Sequence, residues 1–82
     1  MSEKRAELVE ALAKELGVEA LTPVEVESIL SLAGVAAHGT GDRTSAPLVA
    51  FLAGLAAAGG DRVAVLDDVR RRTGALAPPP RD

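Results

Sequence analysis

From Thr44 to Gly60 the chain carries no charged residue, and no other feature restricts its fold as tightly. Such a run must be shielded from water. It is shorter than the ~20 apolar residues a bilayer crossing demands, and Pro47 and Gly54 interrupt it, so it reads as a buried helix of a globular protein. Alanine and leucine, both good helix formers, dominate it. The whole chain has one aromatic residue, Phe51, and neither tryptophan nor tyrosine. Sandwiches and barrels draw on β-branched and aromatic side chains, whereas alanine-rich helices approach one another closely. With 82 residues there is room for one domain that buries only ~60% of its unfolded surface. The expectation is an all-α fold, a compact bundle of four short helices over residues 1–76, with 77–82 as a disordered proline-rich tail.

The first helix is expected from Glu3 to Leu16, with Ser2 as N-cap and Gly17 just past its end. Leu8, Val9, Leu12, Ala13 and Leu16 share one face of it. Thr22-Pro23-Val24-Glu25 places a cap, a proline at the first helical position and a reciprocating glutamate, with Leu21 and Val26 as a hydrophobic staple. That second helix should fray near His38-Gly39. A loop from Gly39 to Thr44 follows, and Ser45-Ala46-Pro47 opens a third helix that ends at Gly59-Gly60. Leu48, Phe51, Leu52 and Leu55 fall on one of its sides and Ala50, Ala53, Gly54 and Ala57 on the other. Neither side is polar, which places this helix centrally, covered on both faces by other helices or by a second copy of the chain. In the last segment, Val63-Ala64-Val65 suits a strand, but the spacing of Val65, Leu66, Val69 and Thr73 favours a helix from Asp61 to Thr73, stopped at Gly74. The expected core is Leu12, Ile29, Leu30, Leu48, Phe51, Leu52, Leu55, Leu66 and Val69.

Several function classes are excluded or disfavoured. Without cysteine there is no disulfide, thiolate nucleophile or Cys-ligated zinc. A net charge of -3 argues against non-specific nucleic-acid binding, which depends on phosphate neutralisation. Arg70-Arg71-Arg72 does not reverse this, because Asp67 and Asp68 stand four residues ahead of Arg71 and Arg72 and pair with them on a helix. The charged opening Met1-Ser2-Glu3-Lys4-Arg5 is not an apolar signal core, and a cytoplasmic location with no membrane association is expected.

The candidate site lies around the third helix start. Arg43, Thr44 and Ser45 precede an expected N-terminus whose unpaired N–H groups and dipole favour an anion. His38, the only histidine, can face the same spot. A phosphate-bearing ligand is the matching candidate, with His38, Arg43, Thr44 and Ser45 as its cofactor-binding residues. Gly39 and Gly41 would let backbone approach a phosphate closely, but no P-loop is present, since neither a Gly-Lys-Ser/Thr sequence nor a preceding strand accompanies them. The competing reading is an ordinary capped helix entrance, with His38 satisfying end carbonyls.

The stretch Ile29-Leu30-Ser31-Leu32-Ala33-Gly34-Val35-Ala36-Ala37-His38-Gly39, then Arg43-Thr44-Ser45-Ala46-Pro47-Leu48-Val49-Ala50-Phe51-Leu52-Ala53-Gly54-Leu55-Ala56, resembles a small bacterial helical family of unassigned function. That family is associated with molybdenum cofactor biosynthesis, its domain occurring alone or fused to the guanylyltransferase that makes molybdopterin guanine dinucleotide. The resemblance implies a non-enzymatic accessory or binding module that needs no cofactor or metal of its own. A protein partner is expected, the transferase or a molybdoenzyme, with the anionic cofactor itself as the alternative. The rival from another class is a structural module that forms a homodimer through the small-residue side of the third helix.

Overall fold

The computed structural model describes residues 3–76, in which four helices follow one another with no strand. They are α1 (Glu3–Leu16), α2 (Pro23–Thr40), α3 (Ser45–Ala57) and α4 (Arg62–Leu76). The expected cap at Ser2 and the proline-rich tail lie outside the described residues. The α1 end is a Schellman turn: Gly17 takes φ +69°, its N–H donates to Lys14 O at 3.2 Å, and Val18 N–H donates to Ala13 O at 3.0 Å. The capping box forms in full, with Thr22 N–H donating to Glu25 Oε1 at 2.8 Å and Glu25 N–H to Thr22 Oγ1 at 3.1 Å.

Two helix ends differ from expectation. Gly39 stays helical and α2 continues to Thr40, whose hydroxyl donates to Ala36 O at 2.9 Å. Termination falls to Gly41, at φ +72°, whose N–H donates to Ala37 O at 2.9 Å. Likewise α4 passes through Gly74 to Leu76. Its start is capped as expected, Asp61 Oδ1 accepting from Ala64 N–H at 3.2 Å, and the strand reading of Val63-Ala64-Val65 falls away. A Cβ at Gly74 would lie 3.7 Å from Val35 Cγ1, so this glycine sits where α4 passes α2.

The core holds the main correction. α2 packs on both α3 and α4, and Leu32, Ala53 and Leu66 are buried at its centre, with Ile29, Val49 and Val69 packed around them. Ala13, Ala36 and Ala57 are buried as well. Ile29, Leu66 and Val69 take their expected places. Leu12, Leu30, Leu48, Phe51, Leu52 and Leu55 do not: each is exposed, Phe51 at 69%. The reason lies in α3. An alanine surface lets α2 approach its small side closely, and Ala53 reaches full burial, so the bulky side faces away. Within the single chain the helix is covered by other helices on one face only. α1 stands apart, no α-carbon of it coming within 8 Å of one in another helix.

Candidate functional site

The α2–α3 connection binds its own polar groups. Asp42 is the organiser: its Oδ1 accepts from Thr44 N–H at 2.9 Å and from the Thr44 hydroxyl at 2.6 Å. Those two bonds, the hydroxyl's first, hold its carboxyl below the usual aspartate value. Ser45 N–H donates to Asp42 O at 3.0 Å and Ala46 N–H to Arg43 O at 3.2 Å, while Pro47 has no N–H to offer. The Ser45 hydroxyl shares a 2.8 Å hydrogen bond with Thr40. Thr44 stands at the N-cap position in helical conformation without a side-chain cap, because its hydroxyl is turned to Asp42.

Of the four expected ligand-binding residues, therefore, Thr44 and Ser45 are engaged inside the loop. His38 and Arg43 are exposed, and neither side chain makes a hydrogen bond or ion pair among the described residues. The Ser45 and Ala46 N–H groups already have backbone carbonyl acceptors and Thr44 N–H is held by the Asp42 carboxylate, so a phosphate reaching this helix start has to displace them. The arginine run is also internally paired: Arg70 lies 2.9 Å from Asp67, Arg71 3.0 Å from Asp68, and Arg72 2.8 Å from Asp68. Among the described residues no group of three or more His, Asp or Glu is placed to hold a metal ion, and no described helix is long and apolar enough to cross a membrane.

A different surface stands out. α3 has no charged residue at any position, and a helix apolar all round ordinarily lies inside a protein. Here Leu48, Phe51, Leu52 and Leu55 are all more than 60% exposed. Their spacing of i, i+3, i+4 and i+7 sets them in one ridge. Beside the ridge runs an open groove of about 570 Å³, walled by Leu12 and Leu16 of α1, Ile29 of α2, and Ala50 and Gly54 of α3. A second cavity of about 370 Å³ adjoins it toward the N-terminal half of α1, lined by Val9, Leu21, Val26 and Leu30. α1 thus presents its apolar stripe to gaps instead of to a packed neighbour.

The groove ends in a polar cluster that sequence reasoning missed. Arg62 Nη2 lies 2.6 Å from Glu19 Oε1, and Arg62 Nε lies 3.4 Å from Oε2 of Glu25. Glu25, only 8% exposed, therefore serves two ends at once, capping α2 with one oxygen and pairing with α4 through the other. A signal existed: an arginine at the start of a helix opposes the dipole and calls for a carboxylate.

No curated protein and no solved structure matches the chain. A family profile does, across residues 2–79, and its description is a domain of unknown function, DUF6457. Because that match takes in nearly the whole sequence, including all four helices and the apolar ridge on α3, the chain belongs to the DUF6457 family.

Proposed function

We propose that this chain is a non-enzymatic binding module that docks a protein through the apolar surface of α1 and α3. The observation behind it is that α3, uncharged throughout, leaves its bulky side to solvent. Four side chains of that size expose an apolar area on the order of 500 Å², at the upper end of what a monomer leaves uncovered. Acid–base chemistry finds less support. The single histidine has no hydrogen-bonded partner among the described residues, and general-base catalysis rests on an oriented pair.

The guanylyltransferase of molybdenum cofactor assembly, or a molybdoenzyme, is the protein partner class implied by the resemblance. Its support is the sequence pattern from Ala37-His38 to Phe51, part of which, Leu48 and Phe51, sits on the exposed ridge. The docking reading is tested by placing a photo-crosslinking amino acid at Leu55 in living cells, with Glu27 on the polar side of α2 as control. Discrete protein adducts from Leu55, absent from Glu27, are expected, and the adduct mass identifies the class of partner. The same diffuse pattern from both positions would remove the docking function.

A further inference from the structure

We infer that the surface is closed by a second copy of this chain, with the two α3 ridges packed against each other about a two-fold axis; this rests on the docking reading above.

Charge is the first ground. The chain carries a net charge of -3, yet nothing from Thr44 to Gly60 is charged. Two copies repel each other through most of their surface but meet no like charge across this seam, and a two-fold contact needs a patch that complements itself. Area is the second. Leu48, Phe51, Leu52 and Leu55 from two copies bring together on the order of 1,000 Å², the lower bound for a specific interface, and Leu12 and Leu16 across the groove extend it toward standard size. Shape is the third. The spacing of the ridge is that of a helix-pairing seam, and the groove beside it supplies a hole for a knob. Gly54 borders that groove, with nothing within 4 Å of where its Cβ would stand. The partner's Phe51 is the side chain suited to fill it, an aromatic anchor in an apolar pocket. The homodimer seam is thus the bulky side of α3 with the Gly54 edge of the groove, not the Ala53 face, which α2 and α4 already cover.

The test is sedimentation of the full chain from low micromolar to near-millimolar concentration, for the wild type, Leu52→Glu and Gly54→Leu. Both positions are exposed and Gly54 has open space around it, so helicity by far-UV circular dichroism should match the wild type. The wild-type mass should climb from 8.3 kDa toward twice that value. Each substitution should raise the dimer dissociation constant about thirtyfold or more, one by burying a charge and the other by filling the hole. A wild type that stays at one chain throughout, or a dimer equally stable in both variants, overturns the proposal. Discrete adducts from Leu55 to a different protein, with a monomer in solution, sink the second copy and leave docking standing. A monomer without discrete adducts sinks both.

Discussion

Leu32 and Phe51 show how a side chain's size misleads about its place. Leu32 has no exposed surface at all, while the larger Phe51 stands mostly in solvent. Leu32→Ala should therefore cost about 2–5 kcal/mol in chemical denaturation by leaving a cavity. Phe51→Ala, measured at a concentration where the chain is monomeric, should change stability by no more than about 0.5 kcal/mol. A reversed order would relocate the core. At the α3 entrance, Asp42 owes its lowered pKa first to the Thr44 hydroxyl and then to the Thr44 N–H. Its folded value lies below its unfolded one, so the stability it adds is full above the ordinary aspartate range and lost as pH falls through the folded value. Thr44→Val removes the hydroxyl bond. An NMR pH titration of the Asp42 carboxyl should then show its midpoint rising toward the ordinary value, and an unmoved midpoint would assign the shift elsewhere.

At the scale of the element, the ends separate what local sequence states from what packing decides. The Thr22-to-Glu25 box, the Gly17 turn and the Asp61 cap use side chains and backbone within five residues, and all three were legible. Gly39 and Gly74 read as stops, yet both lie inside helices, because α2 and α4 support each other along their length. Their substitutions should diverge accordingly. Gly74→Ala adds a methyl group 3.7 Å from Val35 Cγ1, an ordinary contact, and should stabilise the chain by about 0.5–1 kcal/mol through helix propensity. Gly41→Ala, at φ +72°, should instead destabilise by about 1–2 kcal/mol. Thermal melts of the two variants shifting in the same direction would contradict these assignments. The Glu25–Arg62 pair was less legible, since a tertiary contact between α2 and α4 leaves only the unfavourable placement of Arg62 as its local trace.

For the molecule as a whole, helix number, order and class were written in the spacing of apolar residues and in the caps, but the orientation of α3 was not. A helix apolar on every side has no periodic signal to say which side turns inward; the packing of α2 and α4 over Ala53 settles it. The candidate phosphate site was legible as a set of residue types. What composition could not reveal was that Asp42 takes up the Thr44 hydroxyl and N–H itself.

The orientation of α3 is the claim on which the docking surface and the dimer both depend, and Phe51, as the only aromatic residue, reports on it directly. The measurement is relaxation enhancement of the Phe51 ring protons by a neutral soluble paramagnetic probe, with the Leu32 methyl groups as internal reference, in the Leu52→Glu variant. In that monomeric variant the Phe51 ring should relax strongly and the Leu32 methyls weakly, as their exposures of 69% and 0% require. Phe51 protected to the same degree as Leu32 would mean that the bulky side of α3 faces the core, which contradicts the account.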